Sequence, residues 1–117
     1  MKRGVGTEWL VDASGCDPQA LADREGLMDL LTSVVKALAL TTVGQPCWYT
    51  FPSSGGLTGV LVLKESHITC HTYPEAGLAA FNLYVCRPKK PFPWRRELRR
   101  RLKARKVRIR RLQRSGL

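Results

Sequence analysis

The stretch 64-KESHITCHTYPE-75 gathers both histidines of the chain, His67 and His71, with Glu65, Ser66, Cys70 and Glu75 inside eleven residues. Three chemistries use such a set. A metal site is the first, and strand geometry argues against it. Side chains alternate along a strand, so His67 and His71 face one way and Cys70 the other. No metal is expected. A serine hydrolase is the second. Ser66, a histidine and a carboxylate are present, but the GxSxG elbow that exposes a nucleophilic serine is not. On spacing alone His71 reads better as an ordinary hydrogen-bonded strand histidine. The third is self-cleavage between Glu65 and Ser66. A serine hydroxyl at a sharp junction attacks the carbonyl before it, and the resulting ester eliminates to leave an N-terminal ketone. Such a ketone draws electrons from an amino acid as a Schiff-base cofactor does. That route needs a nearby histidine to move a proton and an acid to reprotonate carbon. Cys86, at the end of a neighbouring strand, is placed to be that acid. The pattern permits this third chemistry without excluding the others.

Positioning these residues requires strands. Leu61-Val62-Leu63 reads as the end of a buried strand over Thr58–Glu65, followed by a sharp junction and a second strand, His67–Tyr73. Thr7–Ala13, Cys47–Phe51 and Ala79–Cys86 read as further strands, the last with Phe81, Leu83 and Val85 alternating against Asn82 and Tyr84. Pro52–Gly56 is a loop by composition. Asp17-Pro18 signals a helix start, and Asp23 a second one. Leu27, Leu30, Leu31, Val34, Val35 and Leu38 then place an amphipathic helix at about 22–39, weakened at Gly26. After a linker over Pro88–Pro93, Trp94, Leu98 and Leu102 mark a basic helix, and Val107, Ile109 and Leu112 a last strand, together spanning about 94–113. These elements predict one α/β (α+β) two-layer sandwich over residues 1–117, a mainly antiparallel sheet with helices on one face.

The charge is divided unevenly. Residues 87–117 hold fifteen Lys/Arg and one acid, Glu97, for a net of +14, while residues 1–86 net −3. The body therefore suits a cationic ligand better than nucleic acid. The basic tail leaves nucleic-acid binding open, but its apolar stripe favours a docked helix with a solvated face. The four cysteines, 31, 23 and 16 residues apart, form no CxxC pair and fit no common zinc pattern. They are expected to be reduced. No run approaches the roughly 18 apolar residues of a membrane span. The stretch Met1–Gly6 has no apolar core of a secretory signal, so a cytoplasmic location is the default expectation.

The run 65-ESHITCHTYPEAGLAAFNLYVC-86 resembles the prokaryotic S-adenosylmethionine decarboxylase proenzyme family. That family carries Glu-Ser-His, then His-(Ser/Thr)-aromatic-Pro-Glu, a Gly-x-Ala-Ala stretch and a strand-closing cysteine. Gly6, Gly15-Cys16, 57-LTGVLVL-63 and 98-LRRRLKARKV-107 extend the likeness over nearly the whole chain. The resemblance implies cleavage between Glu65 and Ser66 into a beta chain of residues 1–65 and an alpha chain of residues 66–117. Ser66 would become a covalent pyruvoyl group. His71 matches the histidine that moves the proton during cleavage, and Thr58 a hydroxyl that supports it. Cys86 matches the proton donor to carbon. Phe51 matches the aromatic that stacks on adenine, Glu75 the acid that binds the ribose, and Tyr73 fills the aromatic position of the motif as a further substrate contact. The family implies a homodimer of cleaved protomers that shares its sites.

The sequence also departs from the family. Thr58 replaces a serine, Glu8 stands where the bacterial branch has histidine, Asn82 replaces an aspartate, and 52-PSSGG-56 has one extra residue. The expected activity is pyruvoyl-dependent decarboxylation of S-adenosylmethionine for spermidine synthesis. The departures keep arginine or ornithine open as the amino-acid substrate. The tail keeps open a nucleic-acid-binding protein on a degenerate scaffold, against which Glu65, Ser66, His71 and Cys86 all stand intact.

Overall fold

A computed structural model describes the backbone of residues 3–87 and 89–116. Six strands form one sheet: β1 (Arg3–Ser14), β2 (Cys47–Thr50), β3 (Leu57–Leu63), β4 (Ser66–Tyr73), β5 (Leu78–Val85) and β6 (Lys106–Gly116). Their order is β2-β3-β4-β5-β1-β6, with every ladder antiparallel. Helices α1 (Pro18–Leu21), α2 (Arg24–Ala37) and α3 (Trp94–Leu102) pack on one face. The expected two-layer sandwich is the observed fold.

Period-two patterning decides which face is covered. On β4, Ile68, Cys70 and Thr72 are buried while His67, His71 and Tyr73 are exposed. On β5, Ala79, Phe81, Leu83 and Val85 are buried, and Ala80, Asn82 and Tyr84 lie half-buried on the other side. The buried side chains meet Leu21, Leu27, Leu30, Leu31, Val34, Trp94 and Leu98 from the helices in one core. The Thr72 hydroxyl ties the layers together: it donates to the Leu21 carbonyl at 2.7 Å and accepts from the Leu57 N–H at 2.9 Å.

The helix expected over about 22–39 is α2, Arg24–Ala37, and the separate start expected at Asp17-Pro18 is the short α1. Asp17 caps α1 by accepting from the Gln19 N–H, and Asp23 caps α2 by accepting from the Gly26 N–H at 3.1 Å. Gly26 does not break a helix; it belongs to a cap, where a Cβ would meet the Asp23 carboxylate at 2.7 Å. In α3, Glu97 is buried beneath Arg96, Arg100 and Arg101, at 3.2, 2.7 and 3.0 Å. Three guanidiniums, Arg100 first, hold its carboxyl at a pKa of about 2.

Several boundaries differ from the sequence reading. The third strand stops at Leu63, so Lys64 and Glu65 form a two-residue turn and Ser66 opens β4. Strand β1 begins at Arg3 rather than Thr7, β5 at Leu78, and β6 runs to Gly116. Pro88, the first residue of the expected linker, lies outside the described residues. Among the described residues no helix is long and apolar enough to cross a membrane.

Candidate active site

Leu63 and Ser66 are cross-strand partners, so the Lys64–Glu65 turn closes the β3–β4 hairpin directly in front of Ser66. Ser66 is also paired with Val85, the last residue of β5. This row closes one end of β3, β4 and β5. A cavity of 540 Å³ opens there, lined by Thr41, Lys64, Glu65, Ser66, Cys86 and Lys89 among others. Glu65, Ser66 and Cys86 thus line one cavity. Arg87 holds the Glu65 carboxylate at 3.0 Å, with both side chains more than half exposed. Such a pair contributes about 0–1 kcal/mol, so it orients the turn more than it stabilises it.

The opposite face carries the second group. Thr58 and His71 are cross-strand partners, and Thr58 Oγ1 lies 3.2 Å from His71 Nδ1. Tyr49 pairs with Thr58, and the Phe51 ring meets Tyr49 edge-on at a centroid distance of 5.0 Å. Tyr73 is exposed on this face, and Glu75 is exposed in the 3-10 turn Pro74–Ala76 beside it. Ser66 and His71 are not brought together. Five residues of strand separate them, about 16 Å at the usual rise, and their side chains leave opposite faces.

A third group escaped the sequence reading. Asn82 Nδ2 donates to Glu8 Oε2 at 2.9 Å, and Arg114 reaches Glu8 Oε1 at 3.3 Å. A carboxylate only accepts, so the amide nitrogen must face Glu8 and the amide oxygen must face His67 Nε2, at 3.3 Å. His67 therefore carries its proton on Nε2. The sequence marked Glu8 and Asn82 as separate departures; the sheet makes them neighbours, because β1 lies next to β5. The signal needed to couple them was strand order, which spacing along the chain does not carry.

The other cysteines are elsewhere. Cys70 is fully buried in the core, and desolvation pushes its thiol up to about 12 against one lowering backbone hydrogen bond from Gly59. Burial likewise raises Cys16. Among the described residues no group of three His, Cys, Asp or Glu is arranged to hold a metal ion.

Comparison with known proteins bears on this arrangement. Residues 7–115 match the family profile described as S-adenosylmethionine decarboxylase. The S-adenosylmethionine decarboxylase proenzyme of Methanococcus maripaludis strain S2 is 41% identical over 83 residues, 70% of this chain and 66% of that protein. The proenzyme of Pyrococcus furiosus is 35% identical over 85 residues, 73% of this chain and 60% of that protein. The matches thus span just under two thirds of these curated relatives. The crystal structure of the adenosylmethionine decarboxylase from Aquifex aeolicus VF5 superposes with a TM-score of 0.78 at 28% identity, covering 98% of this chain and 94% of that one. By a match over nearly its whole length, the chain belongs to the S-adenosylmethionine decarboxylase family.

Proposed function

We propose that the chain cleaves itself between Glu65 and Ser66 and then decarboxylates S-adenosylmethionine with a pyruvoyl group derived from Ser66. The observation that carries this reading is the single cavity shared by Ser66 and Cys86. Its residues suit a pyruvoyl group: a serine first in its strand, the Glu65 carbonyl as the electrophile in the turn before it, and Cys86 in the same lining. When formed, that group supplies a ketone that captures the substrate amine and takes up electrons as carbon dioxide leaves. Cys86 delivers the proton that carbon then needs. Lys64 and Lys89 at the rim face the substrate carboxylate as it enters.

Processing assigns Thr58 and His71 a different task. Their hydrogen bond holds the imidazole ready to move a proton, but Ser66 of the same protomer is out of reach. A second protomer that lays its outer sheet face against the first would bring its own His71 to the cleavage site. Tyr49, Phe51, Val62, Tyr73 and Leu78, all exposed and large, make that face apolar enough to be covered. Phe51 then offers a ring to adenine, Tyr73 a further contact and Glu75 an acceptor for the ribose.

Mass spectrometry and Edman degradation of the purified protein test the reading. Two chains are expected, residues 1–65 and 66–117, the second blocked to Edman chemistry. Ser66→Ala should remain one chain, and Cys86→Ala should cleave yet lose turnover by about 100-fold or more, the usual worth of a positioned acid. A wild-type protein that stays full length under all conditions defeats the proposal.

A further inference from the structure

Strand β6, Lys106–Gly116, is an edge of the sheet, paired with β1 on one side only. The ladders decide which of its backbone groups face outward. Peptide groups along an antiparallel strand point alternately to one neighbour and the other. The Val62 carbonyl accepts from the Val43 N–H, so Val62 points away from β4. The alternation then passes through the registers Val62↔His67, His67↔Tyr84, Thr7↔Val85 and Thr7↔Gln113. It turns Arg108, Arg110 and Leu112 toward β1, and Val107, Ile109, Arg111 and Gln113 toward the open edge. Arg95 agrees: from α3 its guanidinium takes the Val107 carbonyl at 3.0 Å. The outward N–H and C=O groups of Ile109, Arg111 and Gln113 have no partner among the described residues.

The side chains along this edge are cationic on both faces. On the outer face Arg110 and Arg114 reach Asp12 and Glu8 at 3.5 and 3.3 Å, while Arg108 meets no carboxylate among the described residues. On the helix-covered face Ile109 packs at the margin of the core, and Arg111 lies over the Trp9 ring at 5.7 Å, again without a carboxylate among the described residues. A cavity of 330 Å³ opens beside them, lined by Thr7, Trp9, Lys89, Arg111 and Gln113 among others.

We infer that the open edge of β6 is a docking site for an acidic, extended peptide segment of another protein, which adds a strand to the sheet and sets a carboxylate in the cavity beside Arg111. Other occupants fit less well. A second copy of β6 laid antiparallel and centred on Arg111 would put Arg111 opposite itself and Arg108 opposite Arg114. Like charges directly opposite are destabilising, so the arginines that keep copies apart select an acidic strand. The chain's other edge, β2, is only four residues long, CWYT, and holds no carboxylate. A nucleic-acid backbone matches the charge, but its phosphates only accept, and the outward carbonyls need donors. An extended acidic peptide brings donors and acceptors at the strand repeat and a carboxylate at alternate positions. The outward groups lie in the plane of the sheet, so a protomer covering the outer face leaves them open. The site stands apart from the chemistry proposed at Ser66.

The probe is a fluorescent, end-capped peptide of alternating Glu and Val, about ten residues long to match a long strand, titrated into the wild-type protein at low salt. It should bind, with affinity falling about tenfold as salt rises to physiological strength, and alternating Lys and Val should not bind. Hydrogen exchange at the Ile109, Arg111 and Gln113 amides should slow severalfold, while the Arg108 and Arg110 amides, already bonded to β1, should not change. Methylating alternate backbone nitrogens of the peptide keeps its charge and removes its donors; binding should weaken about tenfold or more. Ile109→Pro deletes an outward N–H without touching the β1 ladder and should weaken binding of the unmethylated peptide. Arg111→Glu should weaken it about tenfold by opposing the carboxylate. No binding at low salt, equal binding of the methylated peptide, or binding that leaves the three amides unprotected overturns the inference. A single-stranded oligonucleotide of equal charge that protects the same three amides overturns it as well, in favour of a nucleic-acid surface.

Discussion

At Asn82 the amide nitrogen faces the Glu8 carboxylate and the amide oxygen faces His67. An aspartate there would set two carboxylates against each other, so the two departures from the family pattern form one compatible pair rather than two separate losses. The extra residue in 52-PSSGG-56 has a similar resolution: Phe51 still turns to the outer face, where Tyr49 holds it edge-on. These contacts keep the parts an adenosine pocket requires, an aromatic face and the acceptor Glu75. The substrate prediction follows at this scale. The candidate substrates share an amino-acid head and differ only at the distal end, so the proposed roles of Phe51 and Glu75 put discrimination with those two residues. Carbon dioxide release from carboxyl-labelled S-adenosylmethionine, arginine and ornithine, assayed side by side, should occur with the first. Phe51→Ala should raise its KM by about tenfold, in line with the loss of a base-stacking ring. Release from arginine or ornithine alone would reassign the substrate and leave the Ser66 chemistry standing.

Helix α3 shows how a strongly basic segment folds on an acidic body. Arg96, Arg100 and Arg101 converge on Glu97, Arg95 donates to the Val107 carbonyl, and on β6 Arg110 and Arg114 pair with Asp12 and Glu8 while Arg111 lies over the Trp9 ring. Much of the tail's charge is thus engaged within the fold, as the docked-helix reading supposed. Glu97 makes the arrangement sensitive to acid. Its folded pKa of about 2 lies below the ordinary 4.5, so its stabilisation is complete above 4.5 and disappears as pH falls through about 2. Glu97→Gln should melt below wild type at pH 7, and the gap between their melting temperatures should close between pH 4.5 and 2. A gap independent of pH would show that the ion pairs do not matter. Strands and faces were largely legible in the sequence, because alternation such as Phe81, Leu83, Val85 against Asn82 and Tyr84 is written locally. Parity likewise foretold that Cys70 faces away from His71. Both caps, Asp17 and Asp23, were also visible as helix starts, since the capping side chain sits next to the helix it begins. Contacts between β1 and β5, including Glu8 with Asn82, were not legible, since they depend on which strands become neighbours.

For the whole molecule, the separation of Ser66 from His71 predicts that two protomers complete each processing site. Ser66→Ala and His71→Ala chains should each stay uncut when expressed alone. Expressed together, the His71→Ala chain should be cleaved, because its Ser66 meets the intact histidine of its partner. A mixture in which neither chain is cut, although mixed dimers form, would show that His71 does not act across the interface. Strand order carries a separate consequence for the mature protein. A cut after Glu65 leaves β1, β2 and β3 in one piece and β4, β5 and β6 in the other, yet the sheet runs β2-β3-β4-β5-β1-β6. Three of the five ladders, β3/β4, β5/β1 and β1/β6, then join different polypeptides. The pieces of such a cut would be interleaved and would not separate when the bond broke. Once unfolded, however, they must find each other by diffusion, so recovery becomes a second-order process. Denatured and diluted, the uncut Ser66→Ala chain should refold at a yield independent of concentration, while the mature protein should recover less the further it is diluted. The proposed cut would thereby turn a chain that can refold alone into one whose structure survives only as long as it is never lost.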